Sequence, residues 1–326
     1  FAAKGLGKSA LLSNFAAGSI DNTDTVFYAC GVSIPSTNPE KMAAFIAQEL
    51  KSRFEIPYQI PAKVESPRDL ISAFFNAVPK EKTVLIAIDG VDQLISDNNN
   101  QRLQWIPDSI PSNVRLMITT SSESHREILT RKGYPIVMLK PASSQAIRTM
   151  VINYLSHYSK QLPEKLLQKI TGFALAGKPL ILFTLLHELR IFGIHEELEA
   201  HISTYISNET TSDFFSTYLQ RLENDYHSEE YKLKHILTSI ALAKNGLTES
   251  ELISILRISK LRWSQIYNVL DFHLINKNGK LSFVNPQLKE AIESRYFPGK
   301  TELNFYLQPV VSYFFDKFNR LTVSDN

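Results

Sequence analysis

The first residues of the chain carry its clearest chemical motif. Residues 5–9 read Gly-Leu-Gly-Lys-Ser and lead directly into an apolar run. Glycines expose backbone N–H groups and a helix N-terminus attracts anions, so this pattern is typical of a loop that wraps polyphosphate. Lys8 would then reach the phosphates as a flexible charge, while the Ser9 hydroxyl would bind Mg²⁺. We expect nucleotide contacts from Gly5, Gly7, Lys8, Ser9 and Ala10, although an ordinary Gly-rich turn capped by Ser9 fits the same residues.

The front edge of this loop differs from the usual pattern. Ala2 stands where a phosphate-binding loop has its first glycine, and no residues before it could form the strand from which such a loop springs. The chain also does not begin with Met. We therefore expect a fragment that starts inside the motif.

A second motif favours nucleotide binding over a simple turn. Residues 83–94 read Thr-Val-Leu-Ile-Ala-Ile-Asp-Gly-Val-Asp-Gln-Leu, an apolar strand that ends in Asp89. A carboxylate at the carboxyl edge of a parallel sheet can hold Mg²⁺ through water. Asp92, three residues later, could orient or deprotonate an attacking water. Alone, the motif also fits a buried strand closed by an Asp-Gly turn.

A further apolar strand is predicted at residues 114–119, and hydroxyl side chains follow it at residues 120–122. Thr120 is the candidate among them for sensing the terminal phosphate. Ser and Thr at a strand end are also common turn formers, so both interpretations stay open.

Composition limits the classes of protein to consider. A chain of 326 residues exceeds what one hydrophobic core usually serves, which predicts two or three domains. The 35 Lys and Arg against 33 Asp and Glu indicate no polyanionic partner. A single cysteine, Cys30, excludes an internal disulfide framework and fits a reducing compartment. The most apolar stretch, residues 173–186, is too short and too interrupted to span a membrane, so we expect no membrane partner.

The order of predicted elements divides the chain. Strands and helices alternate over residues 1–140, with a last strand at 136–139 and a short Asn-rich loop at 97–100, which predicts a doubly wound α/β domain. Strand signals stop near Pro141, and residues 141–230 are predicted to be all-helical. Residues 231–298 combine helices with a hairpin at Asn278-Gly279, which suggests a winged helix. Residues 299–326 are predicted to be a helix leading into a linker or repeats.

These motifs together resemble the NACHT type of signal-transduction P-loop NTPases, the STAND class. The resemblance is nearest to the subgroup that includes telomerase-associated protein 1 and nephrocystin-3, whose NACHT regions are followed by WD40 or tetratricopeptide (TPR) repeats. The matching stretches follow the family's order along nearly the whole chain: residues 5–9, 88–94, 103–107, 111–116, 177–180, 186–193 and 283–291.

The resemblance implies an ATP/ADP-operated, Mg²⁺-dependent switch in which a helical domain and a winged helix close over nucleotide. It implies that Pro179 packs near the adenine, although a helix-breaking role also fits. Asn285 occupies the position of a histidine that faces the phosphates in relatives. The resemblance also implies a central strand before the phosphate loop, protein partners bound through repeats outside this chain, nucleotide-dependent homo-oligomers and a cytoplasmic location.

Two functions of different kinds remain open at this stage. The first is slow ATP hydrolysis with Asp92 as the residue that positions water and Lys8 as the residue that neutralises charge. The second is a non-hydrolysing scaffold, because Gln93 stands where many hydrolysing relatives have a second acidic residue. DNA binding by the winged helix is not expected, since its recognition helix offers only Lys260 and Arg262.

Overall fold

The structure is a computed structural model that describes residues 1–18, 22–33, 35–95, 103–228 and 232–324. The predicted loop at 97–100 lies outside these ranges. The chain divides into two units, the first made of Phe1–Pro141 with Lys178–Leu180 and the second of Ala142–Gly177 with Ile181–Asn326.

A parallel sheet with helices forms the first unit. Its strands are β1 (Thr23–Ala29), β2 (Thr83–Asp89) and β3 (Val114–Ile118), paired in the order β1-β2-β3. The helices described in this unit are α1 (Lys8–Ala17), α2 (Pro39–Phe54), α3 (Pro67–Ala77) and α4 (Glu123–Arg131). The parallel α/β architecture predicted for this region is thereby confirmed.

Local sequence explains where these elements begin and end. The side chain of Ser66 caps α3 and Pro67 occupies its first turn, where the missing N–H costs nothing. Six of the seven residues of β2 are buried, as expected for the middle strand of a sheet covered on both faces. The parallel register pairs Asp89 with Ala29 on one side and Ile88 with Ile118 on the other. The carboxyl ends of all three strands therefore meet at one edge.

Residues 136–139 do not form the predicted last strand. The backbone N of Phe1 donates to the carbonyl of Val137 (2.8 Å), and Leu139 N donates to the carbonyl of Phe1 (2.9 Å). This is the bonding of a parallel strand pair, but its partner is a single residue, which is too short for a ladder. On its other side Ala2 N donates to the carbonyl of Thr120 (3.4 Å).

An apolar groove of about 440 Å³ runs along β3 in the first unit. Its lining includes large side chains that are exposed to solvent: Leu11, Phe15, Met117, Val137 and Met138. The groove lies between the edge of β3 that faces away from β2 and the segment that bonds Phe1.

Helices dominate the second unit. Those described are α5 (Ser144–Ser156), α6 (Glu164–Thr171), α7 (Pro179–Ile191), α8 (Leu198–Ile206), α9 (Thr211–Asp225), α10 (Leu233–Leu242), α11 (Glu249–Leu256), α12 (Lys260–Leu270), α13 (Pro286–Tyr296) and α14 (Lys300–Ser324). Three short strands, β4 (Leu247–Thr248), β5 (Leu274–Lys277) and β6 (Lys280–Phe283), form an antiparallel sheet in the order β4-β6-β5. In the described ranges, no helix has both the length and the apolar character needed to cross a bilayer.

Two local signals in this unit act as their sequences predict. Thr248 and Glu251 form a reciprocal capping box at the start of α11. Asn278 and Gly279 adopt φ of 52° and 81°, the left-handed pair that a two-residue hairpin turn between β5 and β6 requires.

A buried ion pair connects three helices of the second unit. Glu188 on α7 has a side chain that is 1% exposed and accepts from Arg221 Nε on α9 (2.6 Å). The hydroxyl of Tyr205 on α8 also donates to Glu188 Oε2 (2.7 Å). Arg221 Nη2 donates to the other oxygen, Oε1, so three donors converge on one buried carboxylate.

Two histidines lie beside this pair in the core. The ring of His187 stacks on Phe272 with centroids 5.0 Å apart, and the ring of His273 lies 4.9 Å from that of Tyr218. The Nε2 atoms of both histidines are buried and have no hydrogen-bond partner among the described residues. The pKa of His187 is lowered to about 4, mainly by burial and further by the cationic neighbours Arg190 and Arg221. The pKa of His273 is lowered to about 3, mainly by burial and further by His187 and Arg221.

Stability of the second unit should therefore fall on acidification. Unfolding restores pKa values near 6.5, so the unfolded chain binds more protons below that pH, and the free energy of unfolding decreases from about pH 6.5 towards pH 4. We expect urea titrations from pH 7 to pH 4 to show this slope, and His187→Phe, which keeps the ring stack but cannot be protonated, to make it shallower. Exposed His157→Phe is the matched control. Equal slopes for wild type and His187→Phe would contradict the assignment.

Candidate functional site

The glycine loop has the backbone geometry that a phosphate site needs. Gly5 and Gly7 adopt φ of 84° and 87°, a left-handed conformation that other residues adopt only with strain. Gly7 precedes α1, and its carbonyl accepts the first helical bond from Leu11 N (2.9 Å). The first turn of α1 contains no acidic side chain. Its N–H groups and the helix dipole therefore face no competing carboxylate from their own helix.

Lys8 is the cation at the centre of this loop. Its Nζ donates to the carbonyl oxygens of Ala2 (2.8 Å) and Ala3 (3.0 Å). Burial lowers the pKa of Lys8, while the charges of Asp92 and Asp89 act in the opposite direction. The structure thus brings the ammonium of Lys8 within electrostatic reach of both carboxylates.

Asp89 ends β2 and is 7% exposed. The hydroxyl of Thr119, which follows β3, donates to Asp89 Oδ1 (2.5 Å) and accepts from Gly90 N (2.9 Å). Because Thr119 bonds both the carboxylate and the next backbone amide, it fixes the orientation of Asp89 at the sheet edge.

Asp92 lies in a short helical turn, Val91–Gln93, that begins after Gly90. Ser121 donates to both of its oxygens, through the backbone N to Oδ1 (3.1 Å) and through Oγ to Oδ2 (2.7 Å). Burial would raise the pKa of Asp92, but the hydrogen bonds from Ser121 and Thr120 hold it below its ordinary value. Asp92 is therefore a carboxylate with a fixed orientation that stays ionised at neutral pH.

The remaining predicted residues fall into two groups. Ser9 and Ala10 are exposed in the first turn of α1, and Thr120 is buried beside Asp92. Pro179 groups with the first unit, where a Cβ placed on Gly7 would lie 3.8 Å from Pro179 Cγ.

Asn285 lies in the second unit. Its Oδ1 accepts from Gln287 N (2.9 Å) at the start of α13. Its Nδ2 is buried and has no hydrogen-bond partner among the described residues. The predicted contact of this side chain with phosphate stays a prediction.

Sequence reasoning missed how the two carboxylates are supported. Thr119 was predicted only as the end of a strand, and Ser121 only as one of three hydroxyls in a turn. The available signal was the pairing of neighbouring parallel strands, since the ends of β2 and β3 must meet at one edge.

The side of this edge formed by β1 carries no reactive thiol. Cys30 N donates to the carbonyl of Asp89 (2.9 Å), and the side chain is 4% exposed. The pKa of Cys30 is raised to about 12, mainly by burial and further by the charges of Asp89 and Asp92. A Cβ placed on Gly31 would lie 1.7 Å from Gln93 Oε1, so the side chain of Gln93 packs directly on this segment.

The residues present fit a nucleotide with Mg²⁺. The positive φ of both glycines shapes the loop, and Lys8 lies at its centre. The Ser9 hydroxyl and the Asp89 carboxylate offer hard oxygen atoms, which Mg²⁺ prefers. In nucleotide sites Mg²⁺ takes few ligands from the protein, and phosphate oxygens and water complete its coordination shell.

Part of the chain matches a known domain family. Residues 3–158 match the NACHT domain family. The chain is 28% identical over 220 residues to a TPR repeat-containing protein of Dictyostelium discoideum, which covers 66% of this chain and 13% of that protein. It is 22% identical over 326 residues to human nephrocystin-3, and the match covers 95% of this chain and 24% of nephrocystin-3. It is 26% identical over 198 residues to mouse telomerase protein component 1, and the match covers 59% of this chain and 7% of that protein.

A solved structure shows the same fold. A STAND protein with a tetratricopeptide repeat sensor from Pyrococcus horikoshii aligns with a TM-score of 0.52 and 14% identity, covering 97% of this chain and 42% of that one. The parallel sheet and the glycine loop thus define a P-loop NTPase-like fold. Residues 3–158 match the NACHT domain model, which confirms the resemblance of this stretch to NACHT-type proteins. The chain spans between 7% and 24% of the length of the three curated relatives.

Proposed function

We propose that this chain is a nucleotide-operated switch that binds ATP or ADP with Mg²⁺ and hydrolyses ATP slowly. The observation that carries the proposal is that residues at the end of β3 hold both Asp89 and Asp92, whose charges act on that of Lys8. One ammonium and two carboxylates at the carboxyl edge of a parallel sheet, next to a glycine loop, suit a bound metal-triphosphate.

Each residue has a distinct role in this proposal. The backbone N–H groups of residues 5–10 bind phosphate oxygens. Lys8 exchanges its hydrogen bonds to the carbonyls of Ala2 and Ala3 for bonds to the phosphates, and its positive charge offsets theirs. Ser9 and Asp89 hold Mg²⁺, which when bound offsets the negative charge that develops on the phosphates. Asp92 orients the attacking water, and its low pKa keeps it ready to accept a hydrogen bond.

Further contacts follow from the resemblance. Pro179 would pack near the adenine, and its proximity to Gly7 supports this role. Thr120 would contact the terminal phosphate. Asn285 would donate to phosphate as a neutral group, without the charge that a histidine provides.

The switch needs two states with different affinities for ATP and ADP, because a ligand shifts an equilibrium only by its differential affinity. The elements proposed to move are the helical domain at 141–230 and a winged helix at 231–298, with 299–326 leading into a linker or repeats. The capping box and the hairpin turn support the winged helix. We further propose cytoplasmic action, protein partners bound through repeats and nucleotide-dependent homo-oligomers.

We also propose that a parallel strand leading into Phe1 fills the groove beside β3. Phe1 and Ala2 already bond on both sides like the end of such a strand. The exposed apolar side chains that line the groove would then be covered.

A non-hydrolysing scaffold is the alternative, and Gln93 is the feature that favours it. An amide cannot accept a proton as a carboxylate can, so Asp92 would have to position water alone. In this case bound nucleotide would stabilise the chain without being consumed.

Single-turnover hydrolysis separates the two functions. With protein in excess over labelled ATP and Mg²⁺, we expect Asp92→Asn to slow product formation by about 10²-fold or more, the usual contribution of a group that assists proton transfer. ATP affinity should change little, because the substitution is isosteric. Equal rates for wild type and variant would remove Asp92 from catalysis and favour the scaffold.

A further inference from the structure

A salt bridge joins the last helix of the proposed winged helix to the helical part of the second unit. Arg295 on α13 donates to Glu223 on α9 through both Nε (2.9 Å to Oε1) and Nη2 (2.8 Å to Oε2). The two side chains are only 26% and 16% exposed. This paired geometry is the strongest kind of Arg–carboxylate contact, because two parallel bonds fix the relative orientation of both groups.

The same two helices share further hydrogen bonds. Arg295 Nη1 donates to Ser216 Oγ (3.2 Å), and its Nη2 donates to Gln220 Oε1 (2.7 Å). The hydroxyl of Tyr296, a residue that is 7% exposed, donates to Glu223 Oε1 (2.8 Å). Because Ser216, Gln220 and Glu223 are spaced by four and three residues, they lie along one face of α9. The end of α13 is therefore attached along about two turns of α9.

The apolar core also continues from one part to the other. Side chains from α5 to α9 and from α10 to α13 belong to one cluster of buried residues. Beside this cluster the ring of His273 lies 4.9 Å from that of Tyr218 on α9, and Phe272 stacks on His187 of α7. Tyr218 and His273 are 0% and 1% exposed. Separating the two parts would expose such side chains to water, which costs free energy in proportion to the apolar area.

We propose that the helical part and the proposed winged helix form one rigid arm, which moves as a whole and does not bend between them. Two domains of one chain usually move relative to each other unless the interface between them is large and apolar. Here an apolar core and a hydrogen-bond network both cross from one part to the other. The boundary predicted between residues 230 and 231 lies outside the described residues.

This rigidity is a property of the second unit alone. Its consequence for the switch rests on the proposed function. If ATP and ADP favour two arrangements of the chain, they must act on the second unit as one body, and residues 141–230 and 231–298 keep the same relative position in both states.

The first test measures whether the two parts open together. Hydrogen exchange of nucleotide-free protein, followed by mass spectrometry, gives the free energy of opening for each helix. In wild type the most protected amides of α9 and α13 should have the same free energy of opening. In Arg295→Ala both helices should lose protection by the same factor, about tenfold or more, the value of hydrogen bonds to a charged group.

Two further variants control this test. Lys289→Ala removes a positive charge from the same helix, but its partner Glu293 is 3.9 Å away on α13 itself and both are exposed, so protection should fall less than about twofold. Arg295→Lys keeps the charge without the paired bonds to Glu223, and it provides a milder variant if Arg295→Ala does not fold. Its loss of protection should again be equal in α9 and α13. A loss confined to α13 would overturn the proposal.

The second test measures the distance between the two parts in each nucleotide state. Ser212→Cys on α9 and Ser254→Cys on α11 place spin labels at exposed positions of the two parts, and Ser52→Cys on α2 places one on the first unit. Native Cys30 is buried and should not take the label. By pulsed electron paramagnetic resonance, the distance between labels at 212 and 254 should not shift between Mg²⁺ with ADP and Mg²⁺ with a non-hydrolysable ATP analogue.

The outcomes separate this proposal from the proposed function. A shift in the distance from 212 to 254 between the two nucleotides overturns the rigid arm. If that distance stays constant while both distances from residue 52 change, the arm moves as one body. If none of the three distances changes although both nucleotides bind, the proposed switch fails, and the common opening of α9 and α13 in hydrogen exchange still decides whether the arm is rigid.

Discussion

Glu188→Ala is expected to destabilise the second unit by about 3 kcal/mol or more, the usual cost of removing one partner of a buried ion pair. The change leaves the guanidinium of Arg221, whose side chain is 17% exposed, without its main carboxylate. It also removes the acceptor of the buried Tyr205 hydroxyl. Asp225 still contacts Arg221 Nη1 (3.0 Å), but its side chain is 53% exposed and compensates little. Urea unfolding at neutral pH measures the difference.

Two controls show whether burial is the cause. Glu199→Ala removes a surface partner of Lys169 and should lower stability far less, because water and salt screen an exposed pair. The paired change Glu188→Met with Arg221→Met removes both charges together and should be far less harmful than Glu188→Ala, because no charge remains unpaired. A cost for Glu188→Ala as small as that for Glu199→Ala would show that the pair contributes nothing.

Lys8→Ala is expected to weaken ATP binding by about 10- to 100-fold, the range that charge-assisted hydrogen bonds supply. The stability of the first unit should change little, because the bonds that Lys8 makes to Ala2 and Ala3 lie at a partly exposed site. Equilibrium titration with a fluorescent ATP analogue measures the affinity.

Lys4→Ala is the matched control for Lys8→Ala. Lys4 is an exposed lysine in the same loop and contributes the same net charge, but it lies outside the Gly-Lys-Ser motif. Its removal should change affinity less than about threefold, consistent with a screened surface charge. Equal losses in the two variants would indicate a general charge effect and not a specific phosphate contact.

Local signals predicted much of this fold. The start of α3 follows from its local sequence, because Ser66 caps the helix and Pro67 occupies its first turn. The hairpin and the capping box follow equally from short motifs, Asn278-Gly279 and Thr248 with Glu251. Such signals depend only on residues that are close in sequence, so tertiary contacts do not change them.

Non-local pairing is what the sequence did not reveal. The apolar run at 136–139 resembles a strand, but a strand also needs a partner. Within the described part of the chain, its strand-like backbone bonds go to the single residue Phe1. His187 and Glu188 look like the polar end of an apolar helix, yet both are buried. The charge that makes this tolerable for Glu188 comes from Arg221, which is 33 residues later in the chain.

The candidate site shows the same division. Two motifs make Lys8, Asp89 and Asp92 the candidates, because residue types and spacing suggest that chemistry. Their support by Thr119 and Ser121 depends on the register of β2 against β3, which no local pattern encodes. The sequence therefore predicts candidate side chains, and the pairing of the strands determines which residues orient them.

The central claim is that Asp89 holds the metal of a nucleotide bound by Lys8, and it is tested most directly by measuring ATP affinity with and without Mg²⁺ in wild type and Asp89→Asn. With Mg²⁺ the variant should bind more weakly, because it has lost a carboxylate oxygen ligand. Without Mg²⁺ it should bind as well as wild type or better, because a negative charge near the phosphates has been removed. A substitution that changes affinity equally in both conditions, or in neither, would contradict the claim.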